Sequence, residues 1–198
     1  GNPLNGDWQH GMNFFEAYPG DLDDFLDLEN AEILVTHYWI EERMPIVRYD
    51  KDSHIVYCDR RSGFQLRDDV VPDYAKYRVE NVFSALKKPG QWYLDRKNGR
   101  LYYIPLAGET ADNILVEAPV LKEILNLTGG EGKHTEGIVF KDIIFENIAS
   151  DNNGIMPSRT AHMFYDTERK YASSCQAAVN IGGAVRLDNA KNCAFFEC

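Results

Sequence analysis

The chain has 198 residues, 44% hydrophobic and 26% charged, which suits a globular protein of one domain or two small ones. Its formal net charge is −10, and Lys and Arg cluster only in short pairs such as Arg60-Arg61 and Lys87-Lys88. That balance argues against a nucleic-acid partner, which must be held by phosphate neutralisation, and is compatible with a neutral sugar polymer. No run approaches the ~20 apolar residues of a membrane span.

In chain order, residues 1–20 are rich in Gly, Asn and Pro and read as loop. Asp21-Leu22-Asp23-Asp24 has the look of a calcium loop's start, but the Gly and closing Glu of an EF-hand are absent. The expectation is a short helix with acidic residues in its first turn, where the helix dipole favours them. Ala31 to Ile40 alternates two largely apolar sets and predicts one strand covered on both faces, burying His37 and Trp39 in a core rather than offering them as a sugar platform. Arg43 to Tyr49 and His54 to Asp59 continue as strands around the turn Asp50-Lys51-Asp52-Ser53, and residues 60–79 read as polar and irregular.

Asn81 to Leu86 predicts a short helix stopped by Pro89-Gly90. Beyond it, two aromatic runs flank Asn98-Gly99, a pair suited to the positive φ of a tight hairpin. With Arg96 to Gly99 as the loop, Leu94 faces Leu101, Trp92 faces Tyr103 and Tyr93 faces Tyr102, so apolar meets apolar on both faces. Packing is the default for these aromatics, and sugar stacking is the reading if one face is open. Asn113 to Pro119 predicts another strand, with a domain boundary close after it. Short strands and frequent turns over residues 1–119 suggest a β-sandwich-like domain.

From Leu121 the texture changes. Gly137 to Ile148 reads as two short strands with a tight bend, and Lys191 to Cys198 repeats its second half. Lys141 matches Lys191, Asp142 matches Asn192, Phe145 matches Phe195, and Ile143 and Ile148 fall on Cys193 and Cys198. Gly183 to Leu187 would be the strand before the later bend. Units that bury little alone and gain a core by stacking describe a solenoid. Such a solenoid, begun over residues 120–198 without a polar cap, suggests a fragment of a longer protein and an open rung able to self-associate.

The four cysteines, Cys58, Cys175, Cys193 and Cys198, lack zinc-ligand spacing. The isoleucine-equivalent places of Cys193 and Cys198 favour buried thiols acting as small apolar residues over a disulfide. Asn126-Leu127-Thr128 fits a glycosylation sequon. No cofactor loop, metal cluster or Ser-His-Asp order stands out.

Two runs resemble a known family. They are Glu80-Asn81-Val82-Phe83 followed by Pro89-Gly90-Gln91-Trp92-Tyr93-Leu94-Asp95 and Gly99-Arg100-Leu101-Tyr102-Tyr103-Ile104-Pro105, and, upstream, Val35 to Ile46. This pattern is similar to secreted bacterial right-handed parallel β-helix proteins, the β-xylosidase and α-fucosidase/xylanase types of glycoside hydrolase among them. The resemblance implies an all-β chain: a β-sandwich-like domain followed by the first rungs of a right-handed parallel β-helix. It also implies export, a polysaccharide or oligosaccharide substrate, and catalytic carboxylates on rungs downstream of Cys198.

Long loops off regular scaffolds often carry function, and residues 149–180, too long for one bend, are the loop expected near a binding groove. Glycoside hydrolysis needs two carboxyl groups ~5–9.5 Å apart. Asp166 and Glu168, two apart, would share a face of an extended segment and are the catalytic candidates. Arg159 and His162 are the candidates for binding sugar hydroxyls, and Asp188 and Glu197 sit at rung turns. Asn189 and Asn192 would support those turns by bonding to backbone. Two other expectations remain open: a non-catalytic carbohydrate-binding or adhesive module, and a polysaccharide lyase, which the scarcity of clustered Lys and Arg disfavours.

Overall fold

A computed structural model of the chain describes residues 11–22, 24–25, 27–37, 39–67, 75–149, 171–173 and 183–198. The described chain is all-β, with thirteen strands and one 3-10 turn, and it divides into two compact units. The first holds residues 11–114 with 171–173, and the second holds 115–149 with 183–198.

The first unit is built on a five-stranded antiparallel sheet. Its strands are β1 (Phe14–Glu16), β2 (Glu32–His37), β3 (Ile40–Asp50), β4 (Ile55–Cys58) and β5 (Lys76–Glu80), in the order β1-β4-β3-β2-β5. Period-2 alternation turns Ile33 and Val35, Met44 and Ile46, and Val56 and Cys58 into one core with Ala17, Leu22, Ala31 and Val82. Ile33, Met44 and Val56 are wholly buried, and burial of each such side chain contributes about 1.5–3 kcal/mol. A bulge at Val47, between the pairs Ile46↔Cys58 and Arg48↔Tyr57, twists β3. Val47 is exposed, Arg48 lies 4.0 Å over the Tyr57 ring, and Tyr49 returns to the core. The sheet curls until its outer strands approach, Phe15 of β1 lying 5.1 Å from Tyr77 of β5, ring centre to ring centre.

Here the strand expected over 31–40 ends early. Apolar residues continue through Trp39, but the chain turns after His37 and β3 starts at Ile40. Trp39 is therefore 56% exposed, while His37 is buried as expected. The helix expected near Asp21 is absent among the described residues. Single turns, Asp21 N–H to Tyr18 O and Phe25 N–H to Leu22 O, stand in its place and drop Leu22 into the core. Within the stretch read as irregular, Lys76–Glu80 is strand β5, its Tyr77 and Val79 facing the core between charged neighbours.

The hairpin follows the expected register: β6 (Trp92–Asp95) pairs with β7 (Arg100–Tyr103) through Trp92↔Tyr103, Tyr93↔Tyr102 and Leu94↔Leu101. Only Gly99 of the Asn-Gly pair takes a positive φ, 63°, while Asp95 accepts from the Asn98 backbone N–H at 3.0 Å and its side-chain amide at 2.7 Å. Asn81, at φ 57°, fastens the hairpin to the sheet. Its amide donates to Leu94 O and Asn30 O and its carbonyl accepts from Leu94 N–H, imitating a strand neighbour. Phe83, in the single 3-10 turn Phe83–Ala85 that replaces the expected helix, meets Tyr93 and Tyr102 edge-on.

In the second unit, three short strands of one stretch pair in parallel with three of a later one, in the same order. β8 (Leu125–Thr128) pairs with β11 (Val185–Asp188), β9 (Thr135–Glu136) with β12 (Ala190–Lys191), and β10 (Val139–Lys141) with β13 (Ala194–Phe196). Bends between and after them carry left-handed residues: Gly132, Gly137, Asp142 and Asn147 on the earlier stretch, Asn189, Asn192 and Glu197 on the later. Gly129 allows its loop to close, since a Cβ there would lie 2.3 Å from Lys133 O and 2.7 Å from Asn189 O.

The stacking differs from the sequence match. Phe140, not Phe145, lies opposite Phe195, their rings stacked at 4.9 Å and 12°. The register therefore sets Ile138 against Cys193 and Ile143 against Cys198, one bend away from the alignment of the two copies. Cys193 is half-buried and Cys198 exposed, rather than both being core residues, because each lies at a bend beside a ladder of only two strands. Both are free thiols, as is the buried Cys58, and Cys175 lies outside the described residues. Asn113 to Pro119 pairs in no ladder; Leu115 is 84% exposed, and the stretch is tied by the Asn147 amide donating to Glu117 at 2.7 Å.

Candidate functional site

Curling the sheet leaves a cleft of about 700 Å³ where its two edges approach. β1 and the residues after it contribute Phe14, Phe15, Glu16, Ala17, Tyr18 and Pro19. Ala75 and Tyr77 come from the side of β5, Val35 and Ile55 form the floor, and Gln65, Leu66 and Arg67 form a third wall. The volume falls within the ~300–1,000 Å³ of small-molecule sites, and the make-up matches them: apolar and aromatic walls with a few polar groups.

Each polar group has a physical setting. The Tyr77 hydroxyl donates to Asp21 Oδ2 at 2.5 Å. Burial, reinforced by the bonded Asp21 carboxylate, pushes the phenol well above its ordinary range, so Tyr77 stays a neutral donor. Tyr18, 68% exposed, presents its ring at the rim. Glu16 is the one carboxylate among the described lining residues. The described lining supplies aromatic faces, a carboxylate, an amide and a guanidinium.

The third wall is held from beneath. His37 and Glu42 lie on the core-facing side of β2 and β3, their side chains wholly buried and 2.8 Å apart, Nε2 to Oε1. Glu42 Oε2 accepts the Gly63 N–H at 2.7 Å, and His37 Nδ1 lies 3.0 Å from Gln65 O. A carbonyl only accepts, so Nδ1 carries a proton and donates. Ser62 joins this knot: its hydroxyl donates to Phe64 O at 2.6 Å and accepts from Met12 N–H at 3.0 Å.

A second aromatic surface lies on the hairpin. Tyr93 is buried, its hydroxyl accepting from the Asn30 amide at 2.9 Å and donating to Asp27 at 3.3 Å. The opposite face is open: Trp92 is 60% and Leu101 46% exposed. Packing therefore holds for Tyr93 and its partner Tyr102, and fails for Trp92, whose side chain alternates to the uncovered side.

Asp166, Glu168, Arg159 and His162 lie outside the described residues. Of the long loop they belong to, Tyr171–Ser173 is described and joins the first unit, Tyr171 bridging to Arg61 and Ala172 N–H bonding to Arg61 O at 2.7 Å. Asp188 pairs with Arg186 at 3.7 Å and Glu197 with Lys141 at 3.7 Å, both on exposed surface. Asn189 and Asn192 occupy left-handed bends, but the Asn192 amide donates to the Glu136 side chain at 2.8 Å rather than to backbone. Asn126 of the sequon is exposed on β8, donating to Glu123 and accepting from the Thr128 hydroxyl. The described residues contain no group of His, Cys, Asp and Glu able to hold a metal, and no helix long and apolar enough to cross a membrane.

The residues of the cleft were not legible as a site. The signal for the knot beneath it was available: Glu42 shares the period-2 face of apolar Met44 and Ile46, and a carboxylate at a core-facing position needs a partner. Comparison with known proteins finds no family, no curated protein and no solved structure that matches the chain.

Proposed function

We propose that this chain is part of an exported carbohydrate-active protein, a glycoside hydrolase acting on plant-type glycans, and that the cleft between β1 and β5 takes an oligosaccharide. The cleft is the observation that carries the reading. Tyr18 and Phe14 offer ring faces for the apolar side of a sugar, while Glu16, Gln65 and Arg67 offer groups for its hydroxyls. The resemblance of Glu80–Pro105 to the β-helix glycoside hydrolases supports the same class of substrate.

In this reading residues 1–119 form the β-sandwich-like domain and residues 120–198 the first rungs of a right-handed parallel β-helix. The parallel pairing of three successive strands with three later ones, in the same order, supports it. Asp166 and Glu168 are the proposed catalytic carboxylates within this chain, Arg159 and His162 the proposed sugar contacts, and the complete set is proposed to include further residues of the β-helix. A second reading, a non-catalytic carbohydrate-binding surface, is favoured by one observation, the open Trp92 face of the hairpin.

Calorimetric titration with xylotriose and other neutral oligosaccharides tests the cleft, together with hydrolysis of aryl-glycosides. Loss of the Tyr18 ring in Tyr18→Ala is expected to weaken binding about tenfold, which is the worth of about 1.4 kcal/mol. Binding lost in Trp92→Ala and kept in Tyr18→Ala replaces the cleft with the surface reading. Absence of binding to every sugar rejects both. Hydrolysis that survives Asp166→Asn and Glu168→Gln removes those two from catalysis.

A further inference from the structure

We infer that the buried His37–Glu42 pair is a positioning device for the third wall of the cleft, setting the path of residues 63–67 between the two edges of the sheet. The inference rests on the cleft being the binding site, and its structural part is tested without a ligand.

The segment begins against one edge. Cys58 N–H bonds to Asn13 O at 2.7 Å and Ser62 N–H to Met12 O at 3.0 Å, extending the β1–β4 pairing outward. The approach is so close that a Cβ on Gly11 would lie 1.7 Å from Ser62 O, so only glycine fits. The segment ends against the other edge, where Ala75 N–H bonds to Leu66 O at 3.2 Å beside β5. Between these anchors residues 63–67 cross the curled sheet; the Ser62 hydroxyl holds the Phe64 carbonyl from within the segment, and two side chains of the sheet reach up to it. Glu42 holds the Gly63 N–H and His37 holds the Gln65 carbonyl. The very next residues, Leu66 and Arg67, line the cleft with Gln65.

The pair suits this task because each of its polar atoms is committed. Glu42 uses one oxygen on His37 and the other on Gly63; His37 uses one nitrogen on Glu42 and the other on Gln65. Phe64, fully buried, lies edge-on to the His37 ring at 6.4 Å and to Trp39 at 5.4 Å, closing the knot to water. A wall fixed at alternate residues by hydrogen bonds to rigid strands holds a binding geometry more accurately than a free loop. The function assigned to the pair is hydrogen bonding rather than charge. Gln at position 42 would keep both bonds, its carbonyl accepting from Gly63 and its NH₂ donating to a neutral His37 Nε2.

The test compares Glu42→Gln, Glu42→Leu and Val56→Ala, the last a core change outside the cleft, by hydrogen exchange and by titration with xylotriose. Glu42→Leu is expected to speed exchange of the Gly63 to Arg67 amides at least about tenfold beyond the rest of the sheet and to weaken xylotriose binding by about tenfold or more. Glu42→Gln is expected to restore both to within a few-fold of the parent, and Val56→Ala to leave residues 63–67 no more affected than their surroundings. The inference is overturned if Glu42→Gln is as damaging as Glu42→Leu, or if Val56→Ala reproduces the local pattern. If xylotriose binds no variant, nor the parent, while the exchange pattern holds, the positioning role stands and the carbohydrate reading falls.

Discussion

The two units use the same element, a short strand, under opposite conditions of closure. The antiparallel sheet of the first, ordered β1-β4-β3-β2-β5, curls until Phe15 and Tyr77 meet and so encloses its own core of buried residues. The parallel ladders of the second are each two strands wide, and Val139, Leu187 and Phe196 remain about half exposed on them. Leu127 is the one buried hydrophobic residue among those described there. Antiparallel neighbours close a core with hairpins, whereas parallel neighbours need the chain to travel and return, and gain burial only as layers accumulate. Stability in the first unit therefore rests on packing, and in the second on ladder bonds and a few ring contacts.

That contrast sets the order of expected effects. Met44→Ala, at a wholly buried site in the middle of the curled sheet, is expected to cost about 2–5 kcal/mol, measured as a lowered urea midpoint with unchanged slope. Asn81→Ala removes three hydrogen bonds and leaves alanine at φ 57°. A loss of about 2–4 kcal/mol is expected, with exchange of the Leu94 amide rising first. Phe195→Ala takes away a half-buried ring from the stack with Phe140; about 1–2 kcal/mol is expected, read as faster exchange in β10 and β13 alone. Loss of comparable size from Phe195→Ala and Met44→Ala would erase the distinction between the units.

The smallest effect is chemical. Burial, with the neighbouring Asp59 carboxylate adding to it, pushes the Cys58 thiol from 9.0 to about 12. Between those values the unfolded chain has lost this proton and the folded chain keeps it, so stability falls as pH rises through the window. Urea melts are expected to show the loss reaching about 1 kcal/mol near pH 10, and Cys58→Ala is expected to flatten that dependence. In the folded protein at pH ~8, iodoacetamide is expected to label Cys198 and spare Cys58, since reactivity follows exposure and thiolate content.

The hairpin was legible to the residue because two independent signals agreed, apolar cross-strand matching and an Asn-Gly turn. The β2–β3 reversal was not, because the apolar run continues in the sequence to Trp39 and Ile40; composition cannot report an edge that a register imposes. β5 was hidden by its charges, although Tyr77 and Val79 alternate correctly. The cleft depends on strands far apart in sequence being brought edge to edge, and no local pattern encodes that. The candidate carboxylates Asp166 and Glu168 came from loop length and spacing alone, whereas Glu42 could have been read from its place among Met44 and Ile46.

Left-handed residues of the second unit recur at five-residue steps over 132, 137, 142 and 147 on one stretch and over 192 and 197 on the other, where Asn189 stands outside the series. A chain displaced by one such step would again set bend against bend, isoleucine against cysteine, and Phe145 in place of Phe140 over Phe195. The observed alignment is held by the flat Phe140–Phe195 stack together with the β8–β11, β9–β12 and β10–β13 pairings. In a sequence that resembles itself, the choice between such registers falls to the contacts that differ between them, here the ring that Phe195 meets.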